Sequence, residues 1–160
     1  MKKYELLVDD TITFFGAQLF RIKALISFSG IEKGELGGYV ASEKNLSQSG
    51  NAWVYGDAWV SGNARVYGDA RVSGNARVSG NARVSGDADY IVFKNTWSSG
   101  RYFTYTKSNK MWRVGCFYGE GDKLIEKAYK DSKKSGDFYK AYVEFVEKLE
   151  EIENIHRERI

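Results

Sequence analysis

The residues with chemical potential in this 160-residue sequence are a single histidine, a single cysteine and one run of interleaved aromatic and basic side chains. His156 lies near the end of the sequence in an apolar-periodic stretch, where it is expected to pack or fray rather than act as a general base. Cys116 sits in the apolar run VGCFYG with no histidine near it in sequence, so a buried, inert thiol is expected. Asp57, Asp69, Asp87 and Asp89 recur within a repeat and are expected at corners or on exposed faces. There is no P-loop, dinucleotide fingerprint or CxxC pair. One histidine is too few for a zinc centre built from several imidazoles. The chain is therefore expected to be non-enzymatic, with no metal and no cofactor.

The aromatic and basic run points to binding instead. Residues 90–119 hold five basic side chains, nine aromatic ones and no carboxylate, so the formal net charge of +3 arises there. Aromatic faces stack bases, and lysine and arginine hold phosphate. The expected ligand residues are Trp97, Arg101, Tyr105, Lys107, Trp112 and Arg113, with a small phosphorylated or nucleotide-like anion as ligand. The charge surplus is too small and too local for a duplex-DNA binder. A second reading of the same residues is a small cap whose aromatics form its core and whose cations form its rim. Alternation along MWRVGCFY puts Trp112, Val114, Cys116 and Tyr118 on one buried face.

These residues must be held by neighbouring elements, and the clearest of those is a repeat. From Gly50 the sequence runs GNAWVY, GDAWVS, GNARVY, GDARVS, GNARVS, GNARVS and then the decaying GDADYI. A period of six with recurrent valine and no proline excludes an amphipathic helix, whose period is 3.6. It predicts a solenoid with Val54, Val60, Val66, Val72, Val78 and Val84 inward, alanines in the tighter inward positions, and glycine with Asn or Asp at the corners. A calcium-binding roll would need a nine-residue unit that is absent.

The repeat resembles the hexapeptide-repeat left-handed β-helix family, and that resemblance implies the handedness and a three-sided coil of eighteen residues. Residues eighteen apart then stack: Trp53 with Arg71 and Asp89, Trp59 with Arg77, Arg65 with Arg83. The first two columns offer a guanidinium over an indole, and the third would attract an anion or an acidic partner. Enzymes of the family place a histidine in or beside the coils, which this chain lacks. RIKALISF (21–28), KGELGGYVASEKNLSQSGNAWVYGDA (33–58) and residues 89–119 also resemble hexapeptide-repeat proteins of bacteria and prophages carrying a transferase-like label. This implies prophage placement and says little of activity.

The expected architecture is mainly β. An N-terminal β cap (1–40) comes first, with strands in YELLV, TITFF and QLFRIKALI and turns at Asp9-Asp10 and Gly16-Ala17. The short left-handed β-helix (41–89) follows, with Val40, Leu46 and Ala52 in one register. An aromatic and basic three-strand meander (90–119) precedes the C-terminal helices (120–160). The first helix is expected over about 122–132 and the second from an Asp137 N-cap. Phe138, Tyr142, Phe145, Leu149 and Ile152 step as a heptad seam, either docking on the sheet or joining two copies. Trp53, Tyr55, Trp59, Arg65 and Arg83 are the expected partner-binding residues. A cytoplasmic location is expected from the single cysteine and the lack of a long apolar run. A homo-oligomer is also expected: the family resemblance implies a trimer, whereas the helix seam favours a dimer. Its expected role is to sequester a nucleotide-like ligand against host defence. The competing role is to grip a host protein, and an acyltransferase activity ranks third.

Overall fold

A computed structural model describes residues 2–158. The chain forms two compact units, Met1–Tyr118 and Gly119–Ile160. In the first, β1 (Tyr4–Phe14) and β2 (Ala17–Ala24) form an antiparallel hairpin, and β2 pairs with β3 (Leu36–Val40). The expected turn at Asp9-Asp10 is instead a register shift within one continuous β1, between Leu7 and Thr11. A bulge accommodates extra residues without ending the strand, and Asp10 is retained to accept from Arg21 Nε at 2.9 Å.

The repeat then winds through six two-residue strands: β4 (Trp53–Val54), β5 (Trp59–Val60), β6 (Arg65–Val66), β7 (Arg71–Val72), β8 (Arg77–Val78) and β9 (Arg83–Val84). They pair in parallel, β4 with β7, β5 with β8 and β6 with β9, so each residue meets the one eighteen further on. All six valines and Ala52, Ala58, Ala64, Ala70, Ala76 and Ala82 are buried. Gly50, Gly56, Gly62, Gly68, Gly74 and Gly80 turn the corners with positive φ, a conformation costly to other residues.

The lead-in departs from the expected register. Val40 and Leu46 stack on Val60 and Val66, twenty residues on rather than eighteen, while Ala52 falls in the alanine column. Residues 47–51 absorb the extra length.

Each end of the coil leaves backbone groups without a next rung. At the first rung the Lys3 ammonium donates to Ala52 O at 2.7 Å and Gly50 O at 3.4 Å, and the Tyr4 hydroxyl donates to Leu46 O. At the last rung, side-chain oxygens take the N–H groups that a further coil would have accepted. Asp87 takes Arg71, Tyr90 takes Ser73, Thr104 takes Arg77, Ser108 takes Arg83 and Asp89 takes Ser85, at 2.8–3.2 Å.

Those oxygens come from a short 3-10 turn (Asp87–Asp89), from the sheet of β10 (Tyr90–Lys94), β11 (Tyr102–Thr106), β12 (Met111–Val114) and β13 (Phe117–Gly119), and from the loop after β11. Four strands replace the expected three, because Gly115, at φ +55, turns the chain between β12 and β13. Cys116 stands exposed in that turn, so the buried thiol expected from strand alternation is corrected.

In the second unit α1 (Gly121–Asp131) packs on α2 (Lys133–Glu158). The second helix begins before Asp137, which is not its N-cap. Asp137 instead accepts from Tyr129 OH at 2.7 Å and Lys133 Nζ at 3.0 Å, bonds that hold its carboxyl below the usual range. The buried line of α2 is Tyr139, Val143 and Val146, not the expected seam, of which Phe138, Phe145 and Ile152 are exposed. Among the described residues no helix is long and apolar enough to cross a membrane.

Candidate functional site

One solenoid face, the tip of the β1–β2 hairpin and the cap sheet together enclose a cleft of about 580 Å³. Its floor is the Trp59–Arg77 column. Parallel register puts the two side chains on the same side of adjacent rungs, and the Arg77 guanidinium carbon lies 3.9 Å from the Trp59 ring centroid. Arg77 Nη1 also donates to the carbonyls of Asp57 at 2.9 Å and Asn75 at 3.1 Å, so the group is fixed in place. Burial pulls its pKa below the ordinary guanidinium value, and the charge of Asp57 acts in the opposite direction.

The hairpin supplies one wall. Phe14 meets Trp59 edge-on at 4.9 Å and Phe15 edge-on at 4.5 Å. Phe15 is 73% exposed at φ +47, in the turn before Gly16. The cap sheet supplies the other wall with Arg101, Tyr102, Gly115 and Cys116. Arg113 braces the two walls: its guanidinium carbon is 5.9 Å from the Phe14 ring and 4.8 Å from the Tyr118 ring, and Nε donates to Ser79 Oγ. Burial lowers its pKa, opposed by Tyr118 and Cys116. The lining is thus aromatic and cationic, with no carboxylate among its described residues.

Of the expected ligand residues, Arg101 lines the cleft and Arg113 stands beside it. Tyr105 and Trp112 are corrected, because both are buried. With Phe93 and Phe103 they form the aromatic core of the cap sheet and present no open face to a ligand. Trp97 packs half-buried against Phe103, and Lys107 is half-buried with its N–H on Asp89 O, so neither joins the cleft.

Of the expected partner-binding residues, Trp53 is corrected. It is fully buried under Tyr4 and Phe28, while Arg71 stands one rung on from it in the expected column. Asp89 leaves that column to cap Ser85 and Gly86. Tyr55 is half-buried against the core. Trp59 belongs to the cleft, whereas Arg65 and Arg83 are exposed on another face, lining a hollow of about 360 Å³. His156 is exposed on α2. Among the described residues no group of His, Cys, Asp and Glu is placed to hold a metal.

Sequence reasoning did not assign Phe14, Phe15, Arg77, Tyr102 or Cys116 to a site. The readable signal was the Phe14-Phe15 pair immediately before Gly16, two aromatics at a hairpin end where burial is least available.

Residues 58–74, 64–78 and 76–88 match the family model described as YdcK beta solenoid repeat. No curated protein matches the chain. The rungs, the buried valine columns and this match define a β-solenoid repeat protein, mainly β with two helices. The chain is similar to that family over its repeat, which is less than half its length.

Proposed function

We propose that this chain is a non-enzymatic binding protein of prophage type, its coil left-handed, that sequesters a small nucleotide-like anion in the Trp59–Arg77 cleft. The observation that carries the reading is the lining: two guanidinium groups and four aromatic rings around one open volume. A planar ring can stack on such aromatics for about 1–3 kcal/mol per ring. Arg101 offers an anion a forked pair of donors, stronger than neutral hydrogen bonds. Arg77, already tied to backbone carbonyls, contributes positive potential rather than reach. The cleft replaces Tyr105 and Trp112 as the stacking surface, while the ligand class stays as expected. A cytoplasmic anti-defence role, the capture of a nucleotide signal, follows from this ligand class and from the prophage resemblance.

Titration calorimetry with a panel of linear and cyclic nucleotides tests the reading. Saturable binding that Trp59→Ala and Arg101→Gln each weaken about tenfold or more supports it. Absence of heat with every member of the panel refutes it.

A second reading rests on α2, where Ile152 and Ile155 are 43% and 42% exposed. Apolar side chains presented along one helix suit a protein contact, with another copy of the chain or with a host protein. A purified-state mass that equals the monomer and lacks any co-purifying protein counts against it.

A further inference from the structure

We propose that Arg65 and Arg83 hold a phosphoryl oxoanion on a different solenoid face, in a hollow separate from the aromatic cleft. The parallel register of β6 and β9 sets Arg83 one rung from Arg65, both exposed, at the strand spacing of about 4.8 Å. In the neighbouring column Arg77 rests on an indole. Here cation meets cation, and the two repel unless an anion lies between them.

The strands beneath are fixed, because Arg65 N–H donates to Ala82 O and Arg83 N–H to Ser108 Oγ. Neither guanidinium has a hydrogen-bond or ion-pair partner among the described residues. The hollow they line, about 360 Å³, is walled by Lys44 and Ser47 from the lead-in coil and by Tyr67. Its one carboxylate, Glu43, is already neutralised by Lys2 at 2.7 Å. The Gln48 amide is engaged by the backbone of Lys3 and Tyr4, so it takes no part.

This donor set selects the ligand chemistry. Two guanidinium forks and an ammonium present more N–H groups than one carboxylate can accept, whereas the oxygens of a phosphoryl dianion can accept from all three. Free phosphate and the phosphate of an ester share this chemistry. The site is independent of the ligand in the aromatic cleft.

The test is calorimetry at constant ionic strength with inorganic phosphate and with glycerol phosphate. It compares the native chain with Arg65→Gln, Arg83→Gln and Arg71→Gln, Arg71 being an exposed repeat arginine that lines neither the hollow nor the cleft. Saturable phosphate binding is expected, weakened about tenfold or more by the Arg65 and Arg83 substitutions and unchanged by Arg71→Gln. Equal binding of the ester makes a phosphoryl group on a larger molecule the ligand, and binding of the inorganic ion alone makes it free phosphate. Either supports the site. The native chain is itself a readout that no variant can confound: phosphate that neither binds nor raises its melting temperature overturns the proposal. So does binding that survives in both Arg65→Gln and Arg83→Gln.

Discussion

Replacing Thr104 with valine keeps the side-chain shape and removes one oxygen, the acceptor of the Arg77 N–H at 2.9 Å. Thr104 is 1% exposed, so little water can replace that oxygen. A donor left without a partner in such a place costs about 1–3 kcal/mol. For a unit of the size of Met1–Tyr118, each kcal/mol lowers the melting temperature by about 4 °C. The expected loss is therefore about 4–12 °C, measured by circular dichroism. Faster amide hydrogen exchange at Arg77 should accompany it. Ser108→Ala is the matched control. It removes the acceptor of the Arg83 N–H, but that bond is exposed, so water substitutes and the shift should stay within about 2 °C. If Thr104→Val melts within about 1 °C of the native chain, or Ser108→Ala costs as much, side-chain capping of the last rung is not what closes the solenoid.

Gly74 and Gly80 share φ +62, but a Cβ at Gly74 meets open space and one at Gly80 would fall on the Tyr118 ring and hydroxyl. Gly80→Ala should therefore destabilise more than Gly74→Ala in urea denaturation, the shared backbone strain cancelling in the comparison. Burial lowers the Lys3 pKa from 10.5 to about 8, so between those values the folded chain binds fewer protons than the unfolded one. Stability should then rise with pH above 8, by about 3 kcal/mol at most, and Lys3→Met should flatten the rise. The comparison is read below pH 10, because burial raises the Tyr4 pKa and above that point Tyr4 opposes the trend. Finally, exposed Cys116 should react with a thiol reagent in the native state, and a nucleotide occupying the cleft should slow the reaction. Labelling that requires denaturant would contradict the exposed turn.

The repeat was legible because burial imposes a period: a valine at every sixth position can only be satisfied by a surface that returns every sixth residue. Corners and columns follow from that alone. Trp53 and Trp59 show the limit, since they occupy equivalent positions six residues apart and differ in what covers them. Tyr4 and Phe28 arrive from distant sequence to bury the first, whereas the second meets the edge of Phe14 and the Arg77 guanidinium of the next rung and stays part-exposed. No local pattern encodes such an arrival. Cys116 was misplaced because alternation was carried through Gly115, where a positive φ ends one strand before the next begins. In the cap sheet, composition marked the right segment for aromatics and cations. Which aromatics were core was decided by cross-strand pairing, Tyr105 opposite Trp112, that composition does not record.

The two walls of the cleft belong to opposite ends of the coil, Phe14 on the hairpin preceding it and Cys116 on the sheet that follows it. The rungs between them act as a ruler. Duplicating eighteen residues within the near-identical GNARVS tract would preserve every corner and inward column, yet draw the walls apart by about 4.8 Å. Gauge and foldability are thus uncoupled in this architecture, and relatives differing by one whole turn would accept guests of different width.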